Sequence, residues 1–244
     1  MTKTNSVKKI VSLLTVACIL ASALSMFAGI SAGAATDKVK MYSSDLYFSK
    51  YGIRGTYVYV QTKDNASNQK VYVHYNYLKG QAWKDAQAEY VKTLDDGSKL
   101  WKAYITSYNT EYAIKYVANG VTTWDNNNGK NYKDEALGTA PITVTRGSYY
   151  GYGNYYVNAV LQNYAYTKVV KVRYTEDNWK TYKDVSMKYS NTYANGTESW
   201  TAALPLTKYD ASNFQYCVYY TVNGRTYWAN NFGANYDASY RVYP

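Results

Sequence analysis

Residues 111–132 read EYAIKYVANGVTTWDNNNGKNY, and residues 215–236 read QYCVYYTVNGRTYWANNFGANY. Each opens with the two-residue alternation of a half-buried strand. Each then places Asn-Gly, at 119–120 and 223–224, between two such runs, which favours a type I′ hairpin turn. With the turn there, Ala118 faces Val121, Lys115 faces Trp124, and in the second copy Tyr219 faces Trp228. Cross-strand partners share a face. Ile114, Tyr116, Val218 and Tyr220 therefore form the core side. Trp124 and Trp228 point outward, with Ala113, Lys115, Cys217 and Tyr219. An outward Trp beside an Asn-rich loop is costly unless it binds something.

The repeat extends upstream. VYVHYNYLKGQAWKDAQAEY (71–90) parallels VKVRYTEDNWKTYKDVSMKY (170–189): Val-x-Val-x-Tyr, then Trp-Lys, then a closing Tyr. Trp101 in KLWKAYI matches Trp200 in ESWTAAL. Two units result, 39–140 and 141–244, joined by EALGTAPITV (135–144), whose Gly and Pro mark a short joint. Both units read as all-β, with runs such as TYVYV, VYVHY and YYVNAV and no sustained helical stripe. Roughly six to eight short strands in about 100 residues is the size of an immunoglobulin-like sandwich. A strand-rich barrel is the alternative.

The N-terminus has the charge–apolar–small order of a secretory signal peptide over residues 1–34, cleaved near Ala34. Lys3, Lys8 and Lys9 leave with it, which lowers the formal net charge from +10 to +7. No second apolar run follows, so the mature chain is expected to be soluble, secreted and free of any membrane segment. No anchor or enzyme domain is expected after Pro244. Cys18 leaves with the leader, so Cys217 is the lone mature thiol and no internal disulfide is possible. The lysines are scattered, which describes a solvated surface. A face for single-stranded nucleic acid or anionic cell wall is the alternative use of that charge.

Tyrosine is the distinctive residue, 33 of 244, beside six tryptophans. Rings that are apolar on their faces and polar at one edge suit amphipathic partners, sugars or nucleobases. In Asn-Asn-x-Gly-x-Asn, each amide carries donors and an acceptor that match sugar hydroxyls. The bland reading is a loop in which Asn tolerates left-handed backbone. Two copies that keep Trp at the same spacing favour binding. A calcium loop fails, because Gly129 stands fifth where the EF-hand needs its glycine sixth, and Ala229 replaces Asp125. No metal or cofactor is expected. His74 reads as a strand residue. A glycosidase needs two carboxylates across a cleft, but Asp125 and Glu111 have no acidic counterparts in the second unit. Asp85 and Asp184 are expected to pair with neighbouring lysines.

VRYTEDNWKTYKDV followed by NGRTYWANNFGANY resembles the family 21 carbohydrate-binding modules, the starch- and glycogen-binding type. YAIKYVANGVTTWDNNNGKNY resembles the same closing motif, so the likeness covers both units. It implies two tandem immunoglobulin-like β-sandwich modules that bind α-1,4-glucan without catalysis. Carried over, the second unit's main site would use Trp179 and Trp228 as platforms, with Asn230 and Asn235 bonding hydroxyls and Lys168 beside them. A secondary site would fall on Tyr166 and Tyr189. The first unit's main site becomes Trp83, Trp124, Asn126 and Asn131, with Gln69 in the place of the lysine. Tyr90 matches Tyr189, but Ser67 stands where Tyr166 would. Ala113 and Cys217 occupy an outward position where the family can carry an aromatic. Phosphatase-targeting relatives carry a Lys/Arg-Val-x-Phe/Trp docking motif, and the nearest stretch here, KVRY (171–174), lacks the final ring. The implied partners are starch or a related α-glucan and a secreted amylase or surface complex, with no nucleic acid and a monomeric chain. An adhesion or surface-layer role is a further alternative.

Overall fold

The computed structural model describes residues 38–238 apart from 50–51, 78–80, 107–109, 134–136, 151–153 and 207–211. The expected signal peptide, 1–34, lies outside the described residues. The first unit's strands are β1 (Val39–Ser49), β2 (Gly52–Thr62), β3 (Lys70–Asn76), β4 (Lys84–Gln87), β5 (Glu89–Thr93), β6 (Lys99–Ile105), β7 (Glu111–Ala118), β8 (Val121–Asp125) and β9 (Tyr132–Lys133). The second unit's are β10 (Ile142–Tyr150), β11 (Asn154–Leu161), β12 (Val169–Thr175), β13 (Lys183–Ser186), β14 (Lys188–Thr192), β15 (Glu198–Pro205), β16 (Gln215–Val222), β17 (Arg225–Ala229) and β18 (Tyr236–Asp237). The protein is all-β. Each unit packs two antiparallel sheets face to face: β1-β2-β6-β5 on β4-β3-β7-β8, and β10-β11-β15-β14 on β13-β12-β16-β17. The short strands β9 and β18 pair with β7 and β16.

Alternation decides which side chains fill each core. Along β7, Tyr112, Ile114 and Tyr116 are buried against Val58, Val60, Ala103 and Ile105 of the opposing sheet. Along β16, Tyr216, Val218 and Tyr220 meet Tyr155, Val157, Ala159 and Leu204. Tyrosine thus replaces the aliphatics that most sandwiches use, and each fully buried ring removes as much apolar surface from water as a large aliphatic would. The hairpins follow the expected register, with Lys115 opposite Trp124 and Tyr219 opposite Trp228. Asn119, Gly120, Asn223 and Gly224 all take positive φ, as a type I′ turn requires.

The joint between the units is stitched to β1. Gly138 and Ala140 each donate their N–H to Tyr42 O (3.0 Å), and Thr139 N–H donates to Met41 O (3.0 Å). The Gln162 amide donates to Gly138 O (2.6 Å), and Thr139 Oγ1 donates to Gln61 Oε1 (2.7 Å). A Cβ at Gly138 would collide with the Met41 carbonyl, so only glycine lets the chain lie this close. Phe232 adds an aromatic tie, its ring 4.7 Å from Tyr59 and 6.5 Å from Tyr42. Among the described residues, no helix is long and apolar enough to cross a membrane.

Candidate carbohydrate-binding faces

The two Asn-rich loops are built bond for bond alike. In the first, Gly129 N–H and Asn131 N–H donate to Asn126 O (3.1 and 2.9 Å); in the second, Gly233 N–H and Asn235 N–H donate to Asn230 O (3.0 and 2.8 Å). Asn127, Asn128 and Asn131 have positive φ, as do Asn231, Phe232 and Asn235. Asn tolerates that conformation better than most residues, so part of the asparagine content serves the backbone. Asn126 Oδ1 and Asn230 Oδ1 accept from the glycine N–H groups (3.0 and 3.2 Å). Their carbonyl oxygens therefore hold the loop, and their NH2 groups remain as donors. Asp125, 2% exposed, anchors the first loop, accepting from Met41 N–H (2.7 Å) and the Tyr132 hydroxyl (2.8 Å). This role was not visible in the sequence.

Beside the second loop lies the outer face of β13-β12-β16-β17. Trp228 is 46% exposed and tilted against Tyr219 at 5.0 Å. Arg173 grips Asp184 with two bonds of 2.8 Å and lies over Tyr182 (4.1 Å), Trp228 (5.6 Å) and Tyr219 (5.7 Å). Such cation–π contacts orient rings as well as stabilise them. The hydrogen bond from Arg173, against a smaller opposing effect of burial, holds the Asp184 carboxyl below its ordinary range and raises the guanidinium. Trp179 sits at the other end of the face, its indole N–H on Gln215 Oε1 (2.7 Å). Gln215 and Tyr219 are four positions apart on β16, about 13 Å, so the two platforms bracket the face. Trp179 has φ +65, an unusual conformation for a bulky residue, held by its N–H on Thr175 Oγ1 (2.9 Å).

The first unit builds its face from different residues. His74 takes the position of Arg173, bonded through Nδ1 to Asp85 (2.6 Å), and Lys115 reaches the other oxygen of that carboxylate (2.7 Å). Partial burial pushes the Asp85 pKa up, but hydrogen bonds from Lys115 and His74 outweigh it and leave it below the ordinary value. His74 stacks on Trp83 (5.0 Å, 15°) and meets Trp124 edge-on (5.3 Å). Trp83, His74 and Trp124 are thus contiguous, and the strand-residue reading of His74 missed this. Trp83 precedes β4 as Tyr182 precedes β13, since His74 pairs with Asp85 and Arg173 with Asp184. Trp83 therefore stands in the place of Tyr182, not of Trp179. Ala113 and Cys217 share the outward side by register, yet each is only 5% exposed. Their cross-strand partners are His74 and Arg173, and the clusters built on those residues cover them. Burial pushes the Cys217 thiol up to about 11.

Lys168 does not stand beside Trp228. Its side chain is 3% exposed and ties the end of β12 to the other sheet, through Glu198 Oε2 (2.8 Å) and Asn163 Oδ1 (2.6 Å). The Trp200 indole N–H donates to the same carboxylate (3.0 Å), and Tyr189 lies edge-on to Trp200 at 5.9 Å. Tyr166, two residues before Lys168, is 99% exposed. Lys168 thus belongs with Tyr166 and Tyr189. In the first unit Tyr90 lies edge-on to Trp101 at 5.8 Å, and the Gln69 amide donates to Asp64 O and accepts from Lys99 (3.4 Å). Ser67 supplies no ring there.

A sandwich with aromatic rings and amides on the outer face of one sheet has the build of a carbohydrate-binding module. Residues 151–239, just over a third of the chain, match the family model of the carbohydrate/starch-binding module, family 21. The resemblance read from VRYTEDNWKTYKDV and NGRTYWANNFGANY is met over that stretch. Human protein phosphatase 1 regulatory subunit 3B is 41% identical over 80 residues, 31% of this chain and 28% of that one. Bovine protein phosphatase 1 regulatory subunit 3C is 35% identical over 80 residues, 31% of this chain and 25% of that one. The chain thus spans less than a third of these relatives. Two solved structures are also similar. The carbohydrate-binding module of the muscle glycogen-targeting subunit of protein phosphatase-1 is 25% identical, with 40% of this chain and 73% of that one covered and a TM-score of 0.36. The starch-binding domain of Rhizopus oryzae glucoamylase, in complex with β-cyclodextrin and maltoheptaose, is 26% identical, with 41% and 93% covered and a TM-score of 0.34.

Proposed function

We propose that the protein is a secreted, non-catalytic binder of starch or a related α-1,4-glucan, with a binding face on each unit. The observation that carries this reading is the outer face of the second unit, where Trp228 and Trp179 bracket an Arg173-centred aromatic cluster within the family-matched stretch. Flat rings cover the C–H faces of glucose units, and the NH2 groups of Asn230 and Asn235 donate to hydroxyls. The first unit offers Trp83, Trp124, Asn126 and Asn131 in the same role. Tyr166 and Tyr189 form the second unit's additional site, with Lys168 and Glu198 behind them, and Tyr90 is its remnant in the first. The carboxylates that a glycosidase would need have structural duties: Asp184 with Arg173, Asp85 with Lys115 and His74, and Asp125 with Met41 and Tyr132. This supports binding without hydrolysis.

The partner classes are the glucan itself and a secreted amylase or surface complex. Docking to a phosphatase is not part of the proposal: Val172 and Tyr174 of KVRY lie in the core of β12. The test is retention of the purified chain on insoluble starch across a salt series, with competition by maltoheptaose. Retention that barely changes with salt and is released by the oligosaccharide is expected. A steep loss with rising salt would point instead to a polyanion ligand, and free passage through starch at low salt would end the proposal.

A further inference from the structure

A cleft of about 560 Å³ lies where the two units meet, within the size range of small-ligand sites. The second unit lines it with Arg225, Trp228 and Asn230, and the first with Tyr42, Lys92 and Asp95, among others. Trp228 therefore belongs at once to the outer face of its own unit and to this shared cleft. We propose that the cleft is a further glucan subsite, built jointly, in which the first unit extends the Trp228 face of the second. The inference rests on the glucan-binding reading above and adds to it a site that neither unit owns alone.

Three observations carry it. First, the cleft is held open by structure: the Gly138–Ala140 joint is bonded to β1, and Phe232, in a left-handed conformation (φ +56), packs its ring on Tyr59. A bulky residue at positive φ costs roughly 1–2 kcal/mol, and the Tyr59 contact offsets that strain. The first unit has Asn128 at the matching loop position, also at positive φ, so the aromatic contact is particular to the second loop.

Second, Gln61 bonds Asp96 and Thr139 within the cleft, but three of its charged side chains are not paired with one another. Among the described residues, Lys92, Asp95 and Arg225 are exposed and make no ion pair, although they carry opposite charges around one cleft. Together with the Asn230 amide they leave donors and acceptors free around a Trp ring, which is the chemistry that takes a polyol.

Third, the signs are mixed. Asp45, Asp95 and Asp96 line the cleft beside Lys92 and Arg225, so the cleft has no basic excess to hold a polyanion, and a neutral ligand fits it. Asp45 pairs across the sheet with Tyr57, which clusters with Tyr47 (5.8 Å) and Tyr104 (5.3 Å). Tyr104 lies directly over Gly55, where a Cβ would strike its ring. A ligand long enough to leave the cleft on that side meets more aromatic surface, which favours a chain over a single sugar.

The test uses the full chain with Lys92 and Asp95 both changed to Ala. Both side chains are exposed and lie off the outer faces that carry Trp124 and Trp228, so folding is expected to be unaffected; circular dichroism checks this. Isothermal titration with maltotriose and maltoheptaose then separates the contributions. Affinity for maltoheptaose should fall about tenfold, the loss of one to two hydrogen bonds, while affinity for maltotriose stays unchanged. A double variant that binds maltoheptaose as the unaltered chain does would overturn the subsite and leave the general reading standing. An unaltered chain that binds neither sugar would overturn both. As a second readout, maltoheptaose should slow amide exchange in the Leu94–Ser98 turn of the unaltered chain; an unchanged rate there would also overturn the subsite.

Discussion

Replacing Asp125 with Ala should destabilise the first unit by about 3 kcal/mol. The carboxylate is 2% exposed and receives the Met41 N–H at 2.7 Å, the Tyr132 hydroxyl at 2.8 Å and the Asn127 N–H at 3.3 Å. Truncation leaves the first two donors without an acceptor, and each unmet buried donor costs about 1–3 kcal/mol. The Asn127 N–H is long and near solvent, so water can replace that bond. Relief of the buried charge offsets part of the loss, which brings the net to about 3 kcal/mol. For a unit of this size that corresponds to a melting temperature lower by on the order of 15 °C. Because the chain has two cores, the effect is best read by amide exchange, residue by residue. Protection should fall along β7 and stay unchanged along β16. Asp125→Asn, which keeps one acceptor oxygen, should lose roughly half as much. An Asp125→Ala chain whose β7 amides are as protected as before would refute the reasoning, because two buried donors would then have been orphaned at no cost.

Trp228→Ala should weaken starch binding by about three- to tenfold, as one ring contact of roughly 1 kcal/mol predicts, and with Trp124→Ala should abolish retention; undiminished binding by the double variant would place the sites elsewhere. The Asp184 carboxyl is held below its ordinary value, chiefly by the Arg173 hydrogen bond. Its stabilising contribution is therefore complete above the unfolded value near 3.9 and is lost as pH falls through the lower folded one. Acid titration of stability should show a component in that window that Asp184→Asn removes, of about 1 kcal/mol or less for so accessible a pair. Cys217, buried and with its thiol pushed up to about 11, should resist alkylation at pH 8 until the chain is unfolded in denaturant; rapid labelling of the native chain would contradict its burial.

The hairpin registers were legible because two local rules act together. Asn-Gly admits the positive φ of a type I′ turn, and the alternation of Tyr, Val and Ile decides which face turns inward. The outward direction of Trp124 and Trp228 followed from those rules alone. What escaped detection depends on contacts that no local rule reports. Trp83 was matched to Trp179 because both precede a Lys, whereas strand pairing through Asp85 and Asp184 sets it opposite Tyr182. The resemblance set Lys168 beside Asn230 and Asn235, whereas the approach of Glu198 from the other sheet buries it away from them. His74 gave no local sign of its stacking, because Trp83 reaches it across a strand pair. The cleft depends on how two units meet, and the nearest sign of it in the sequence is Phe232 in a loop of asparagines.

The stitched joint has a consequence for multivalency. Two sites on a floppy tether meet a second ligand segment at an effective concentration set by the tether's random span, falling as it lengthens. Here the connection from Gly138 to Ala140 is bonded to β1 at every step, and glycine at 138 is required for it. If both units bind glucan as proposed, little conformational entropy is left to lose when the second site engages, so a ligand whose segments match the spacing would gain the full benefit of the pair. A ligand with any other spacing gains almost none. The protein would then measure the geometry of its polymer as well as recognise its sugar, a selectivity that lengthening the joint should erase while leaving each face intact.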